Sequence, residues 1–220
     1  MIRALIFDFD GMILETEGPI FQSWKEVYHA HGQELSFPAW AQGIGASLVE
    51  FDPQLDLQAR LGRTLDWDAI EPQRMAREVS LIEQQSILPG VLTYFKSARR
   101  LGIKLGVASS SSCHWVMGHL KRLGLVAYFD CIRASDDVRR VKPDPELYLA
   151  VLDALKVKAV DAIAFEDSPN GILSAKRAGI YCVAVPNSLT KQLPLNQADL
   201  QLYSLEDLSL EKLLQRVQAS

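Results

Sequence analysis

Cysteine is scarce in this chain of 220 residues: Cys113, Cys131 and Cys182 are widely spaced and form no C-x-x-C pair. Neither a disulfide framework nor a cysteine zinc site is expected, and free thiols in a reducing cytoplasm fit better. The four histidines, His29, His31, His114 and His119, show no metal-ligand spacing. Long apolar runs are missing too. The longest stretch without Asp, Glu, Lys or Arg, Leu105 to Leu120, holds four serines and two histidines, which argues against a membrane span. There is no polybasic run and the net charge is −4, so neither nucleic acid nor an anionic membrane surface is expected as a partner. No signal-peptide pattern precedes the first apolar run, and a cytoplasmic location is expected. Without coiled-coil heptads or a large apolar stripe, a monomer is expected.

What is present is an ordinary globular composition, 48% hydrophobic and 23% charged, long enough for one core plus a small insertion. Ala4 to Phe7 is a continuous apolar run that reads as a strand buried on both faces. It ends abruptly in Asp8, Asp10 and Gly11. Aspartate is a poor strand residue and unfavourable to bury, so two at the end of a core strand require a reason. At positions i and i+2 their side chains can face one pocket, and Gly11 permits a sharp turn away.

Residues 36–88 show helical patterns, Pro38–Ile44, Ser47–Leu61 and Asp66–Gln85, broken at Phe51-Asp52-Pro53 and Leu61-Gly62. After the breaker Leu88-Pro89-Gly90 a strict alternation begins. Helices are expected at 91–101, 112–123, 144–155, 168–178 and 205–217, and strands at 104–108, 129–132, 161–165 and 181–185. Such alternation predicts an α/β fold with a parallel sheet and right-handed crossovers.

Ligands of open parallel sheets bind beyond the carboxyl ends of the strands. Asp8 and Asp10 follow the first strand, Ser109 and Ser110 the second. Lys142 precedes the helix at 144, and Glu166 and Asp167 follow the strand at 161–165. Each group has an ordinary alternative: serines or Glu166-Asp167-Ser168-Pro169 as helix caps, Lys142 as a surface lysine. Their recurrence at successive strand ends favours one site. Hard oxygen ligands of this kind suit Mg²⁺ with a phosphate oxygen. Hydroxyls and an ammonium suit the phosphoryl group, one aspartate can attack phosphorus, and the other can carry the proton.

Asp8-Phe9-Asp10-Gly11, Ser109, Lys142-Pro143 and Glu166-Asp167 resemble the four motifs of the haloacid dehalogenase-like hydrolase superfamily. Val141-Lys142-Pro143-Asp144-Pro145-Glu146-Leu147-Tyr148 and Phe165-Glu166-Asp167-Ser168-Pro169-Asn170-Gly171 look like its β-phosphoglucomutase/phosphatase-like branch. The resemblance implies a Rossmann-like parallel-sheet core, residues 1–16 and 89–220, with an inserted α-helical cap domain, residues 17–88. It implies Asp8 as nucleophile and Mg²⁺ ligand, and Asp10 as general acid/base giving the metal its backbone carbonyl. Ser109, Lys142 and Ser110 would hold the phosphoryl group, and Asp167 and Glu166 would complete the metal site. The expected substrate is a small phosphorylated metabolite such as a sugar phosphate, hydrolysed through an aspartyl-phosphate. An acid/base at Asp10 disfavours dehalogenation. A β-phosphoglucomutase-like phosphotransferase is the alternative, weakened by Ile20 and Ala46 where mutases of the branch carry a hinge His and a cap Arg. A non-catalytic phosphometabolite binder is the third reading.

Overall fold

The structure, a computed structural model, describes residues 1–41 and 51–219. Six strands, β1 (Ala4–Phe7), β2 (Lys104–Ala108), β3 (Cys131–Arg133), β4 (Ala162–Glu166), β5 (Tyr181–Ala184) and β6 (Leu200–Gln201), form one sheet in the order β3-β2-β1-β4-β5-β6. Every pair is parallel, and β1 lies in the middle between β2 and β4. The chain thus reverses its direction of winding across β1, where the carboxyl ends open a crevice.

The helices are α1 (Glu17–Ala30), α2 (Phe37–Trp40), α3 (Pro53–Leu61), α4 (Trp67–Glu83), α5 (Val91–Arg100), α6 (Cys113–Arg122), α7 (Glu146–Leu155), α8 (Pro169–Arg177) and α9 (Leu210–Ala219). Alternation along β1 sends its side chains to two cores. Leu5 and Phe7 pack with Val91, Phe95 and Leu213 on one face, while Ala4 and Ile6 pack with Tyr148, Val151 and Ile172 on the other. A third cluster, built on Trp24, Tyr28, Leu35 and Leu57, belongs to the helical section, with Leu65 and Trp67 packed against it.

Two expected elements move. β3 begins at Cys131 because Asp130 closes the turn before it: its N–H donates to the Leu105 carbonyl (2.8 Å), and its carboxylate accepts from the Leu105 N–H (2.9 Å). The last helix starts at Leu210, since Asp207 accepts from the N–H groups of Tyr203 and Ser204 and holds a turn there. The two-residue strand β6 was too short to leave an alternating pattern. The expected helices around 38–44 and 47–61 fall partly outside the described residues. α3 itself starts at Pro53, where the Asp52 carboxylate accepts from the N–H of Gln54 (2.8 Å) and Leu55 (3.1 Å). Among the described residues, no helix is long and apolar enough to cross a membrane.

Candidate active site

The end of β1 delivers Asp8 into the crevice. Its N–H still continues the sheet, donating to the Phe165 carbonyl at 3.0 Å. Its side chain meets Lys142, whose Nζ lies 2.5 Å from Asp8 Oδ1 and 2.6 Å from Glu166 Oε1. Asp8, Lys142 and Glu166 are buried at 7%, 4% and 0% exposure, which no surface ion pair would be. Tyr148, one turn into α7, donates its hydroxyl to the same Glu166 oxygen at 2.5 Å. Asp167 stands beside them and accepts from Asn187 Nδ2 at 2.8 Å. Asn187 is itself fixed, because its Oδ1 accepts from the N–H groups of Leu189 and Thr190, both at 2.9 Å.

Asp8, Glu166 and Asp167 bring one oxygen each within 4.8 Å of one another. Three buried carboxylates against one ammonium leave a formal charge of −2 if all are ionised, which is strongly unfavourable without a further cation. Burial accordingly pushes the Asp8 carboxyl up to about 7, with Glu166 and Asp10 adding and Lys142 pulling the other way. Asp167 is raised well above the usual carboxylate range, by burial and by the charges of Asp8 and Glu166. Burial alone would lower the Lys142 pKa; the two carboxylates outweigh it and hold the ammonium protonated. Glu166 Oε2 is buried with no hydrogen-bond partner. The backbone near it is pared to glycine: a Cβ at Gly171 would overlap Glu166 Oε2, and one at Gly11 would overlap Asp167 Oδ2. An orphaned oxygen within an unbalanced acidic triad is what a divalent cation's oxygen shell requires. The residues therefore fit Mg²⁺.

Asp10 leaves this triad, though it lies two residues from Asp8. Gly11 adopts φ 75° and its N–H donates to the Leu14 carbonyl (2.8 Å), so the chain has turned before the strand geometry can align the two side chains. The Asp10 carboxylate is instead surrounded by donors: Thr16 Oγ1 (2.9 Å), Trp115 Nε1 (2.9 Å), Ser111 Oγ (2.6 Å) and Ser109 Oγ (3.4 Å). Ser109 is fully buried after β2, Ser110 is exposed, and Ser111 turns back toward Asp10. Five residues lie outside the strand-end pattern: Thr16, Ser111 and Trp115 around Asp10, Tyr148 on Glu166 and Asn187 on Asp167. Asn187 was accessible to the same rule, since it lies just past β5.

Beyond Asp10 lies a cavity of about 440 Å³ between α1, α2, α3 and α4, lined among others by Glu17, Ile20, Trp24, Trp40, Phe51 and Arg74. Glu17 joins it to the strand ends. Burial raises its carboxyl to about 8, and the charges of Asp10, Glu15 and Asp8 contribute. Ala46 lies outside the described residues.

A parallel sheet with an aspartate at the end of its central strand, a buried lysine and an acidic pair at the next strand defines a phosphoryl-handling hydrolase of the Rossmann-like class. The comparisons agree. The family model described as haloacid dehalogenase-like hydrolase matches residues 5–185. Protein YhcW of Bacillus subtilis (strain 168) is 42% identical over 214 residues, covering 97% of each chain. The phosphorylated carbohydrates phosphatase of Thermotoga maritima is 32% identical over 183 residues, 81% of this chain and 82% of its own. Among solved structures, β-phosphoglucomutase from Clostridium difficile superposes with a TM-score of 0.77 at 26% identity, covering 100% of this chain and 98% of its own. The chain belongs to the haloacid dehalogenase-like hydrolases.

Proposed function

We propose that the protein is a Mg²⁺-dependent phosphatase that hydrolyses a small phosphorylated metabolite, of the sugar-phosphate kind, through an aspartyl-phosphate on Asp8. The observation that carries this reading is the buried Asp8–Lys142–Glu166 cluster with Asp167 beside it, whose charge calls for a divalent cation. Asp8, Glu166 and Asp167, with the backbone carbonyl of Asp10, hold the metal. When bound there, Mg²⁺ offsets the charge of the phosphoryl oxygens that would otherwise repel the carboxylate. Ser109 and Lys142 hold the phosphoryl group, with Ser111 beside them. An Asp8 oxygen attacks phosphorus, the ester P–O bond breaks, and the leaving oxygen takes a proton from Asp10. Water then attacks the aspartyl-phosphate, gives its proton to Asp10, and frees phosphate and Asp8.

Residues 1–16 and 89–220 form the catalytic core in this reading, and 17–88 a cap that admits the leaving group and excludes bulk water. The acidic chain and its free thiols suit a cytoplasmic monomer acting on a small molecule. The likeness to a β-phosphoglucomutase raises a phosphotransferase as the second reading. The cavity speaks against it. Its lining includes Glu17, Asp52, Glu71 and Glu78, and its Arg74 is already paired with Glu71 and Glu78. Residues 42–50 contain no Lys, Arg or His. A second phosphate thus finds no unpaired Lys, Arg or His among the described residues that line this cavity. Phosphate release from a panel of sugar phosphates in Mg²⁺, with Asp8→Asn as control, tests the proposal. Undiminished release by that variant refutes the mechanism, and conversion of bisphosphate-primed β-glucose 1-phosphate to glucose 6-phosphate would establish the mutase instead.

A further inference from the structure

The donors around Asp10 divide by oxygen. Oδ1 accepts from Thr16 Oγ1 and from the indole Nε1–H of Trp115, each at 2.9 Å. Oδ2 faces only serine hydroxyls, Ser111 at 2.6 Å and Ser109 at 3.4 Å. The two sets differ in chemistry. An indole N–H donates and never accepts, so it ties Oδ1 as an acceptor along one fixed direction. A serine hydroxyl rotates and can accept as readily as it donates. Oδ1 is therefore anchored by a directional donor, while Oδ2 is held only by hydroxyls that can turn away.

The indole is well placed to enforce this. Trp115 lies in the first turn of α6, behind the Ser112 cap, and a helical side chain leans toward the N-terminus, here toward the strand end. Its ring meets His119 edge-on, centroids 4.6 Å apart, and His119 in turn stacks on Phe9 at 6.2 Å. His119 thus packs against the ring whose nitrogen holds Asp10, and Phe9 backs His119.

We propose that Trp115 is a positioning residue: its N–H, with Thr16, ties Oδ1 and so fixes the Asp10 carboxylate in the orientation from which it serves the leaving oxygen. When the phosphoryl group engages Ser109, Oδ2 is released toward the scissile oxygen while Oδ1 stays tied. The inference rests on the assignment of Asp10 as the acid/base, and the test separates the two. The kcat/KM of Trp115→Phe, Thr16→Val and Asp10→Ala is measured on p-nitrophenyl phosphate, whose leaving group needs little protonation, and on phenyl phosphate, whose leaving group needs more. Trp115→Phe keeps an aromatic ring beside His119 and removes the donor along with part of the indole's bulk. It is expected to lose about tenfold on phenyl phosphate, with KM within about twofold and a much smaller loss on the nitrophenyl ester. Thr16→Val should show the same bias independently. Equal losses on both esters, or no loss, in the folded variants would overturn the proposal while leaving Asp10 in its role. Absence of the bias in Asp10→Ala would remove the acid/base assignment itself, and the inference with it.

Discussion

At the sheet edge, Lys142 reaches Asp8 across 134 positions of sequence, and Ser111 reaches Asp10 across 101. In the helical section the bonds join residues closer in sequence: Arg74 reaches Ser23 and Arg77 reaches Glu26 across 51 positions, and many others are local. Arg74 pairs with Glu71 and Glu78, within a turn on either side, and lies over the Trp24 ring at 4.6 Å; Asp52 and Asp66 cap their own helices. The first region is assembled by strand order, which brings distant residues to one edge whatever lies between them. The second is assembled by helix faces, whose neighbours are set by packing. Chemistry fixed by topology resists change elsewhere in the chain, whereas a cavity fixed by helix packing can be reshaped one side chain at a time.

That contrast can be broken from either side. Lys142→Met should have the largest effect, because it leaves Asp8 and Glu166 buried without their cation. A stability loss of about 3–5 kcal/mol is expected by denaturant unfolding without metal, together with loss of phosphate release. A stable, active Lys142→Met would show that the buried cluster is not held by charge. Gly171→Ala should act next, through geometry alone: the added methyl must push Glu166 aside, weakening Mg²⁺ binding about 10–100-fold by calorimetry. Unchanged metal affinity would remove Glu166 from the metal site.

Arg74→Met tests the helical section. Losing its ion pairs should destabilise the protein by about 1–3 kcal/mol, while p-nitrophenyl phosphate turnover falls less than about tenfold. Selectivity among sugar phosphates should change more than the rate on the small ester, and equal changes would mean that the two regions are not separable. Glu17 bridges both, and its effect is set by pH. Its carboxyl rises from 4.5 to about 8 on folding, so the protonated form is favoured in the fold. Its contribution to stability is then complete below pH 4.5 and lost as pH rises through about 8. Glu17→Gln should match the parent Tm at low pH and exceed it at about pH 9. A variant less stable at high pH would reverse that sign.

How far each region could be read from sequence follows the same division. Asp8, Glu166 and Asp167 stand directly after apolar runs and Lys142 just before the helix at 144, so the parallel-sheet rule gathers them at one edge, and the structure brings Asp8, Glu166 and Asp167 within one oxygen cluster. Asp10 obeys the rule in place but not in orientation, since Gly11 redirects the chain before the i, i+2 geometry applies. Trp115 could not be found that way: it is an aromatic residue one turn into a helix, and only α6's docking turns its nitrogen to Asp10. Ser111, rather than the exposed Ser110, faces the carboxylate because the turn after β2 sets which hydroxyl of the serine run points inward. In the helical section α4 was legible from its pattern over 66–85, whereas the pattern over 47–61 ran through Asp52-Pro53, where the Asp52 cap starts α3. Which faces line the cavity was not legible, because Trp24 and Trp40 serve core and cavity at once.

The central claim is that the acid at the end of the middle strand itself takes the phosphoryl group. Rapid acid quench of the Mg²⁺-loaded protein during turnover of p-nitrophenyl phosphate, followed by peptide mass spectrometry, tests it most directly. One phosphoryl group is expected on the peptide containing Asp8, labile to base and absent in Asp8→Asn. A phosphoryl group on Ser109 or Ser111, or full turnover in Asp8→Asn, would contradict it.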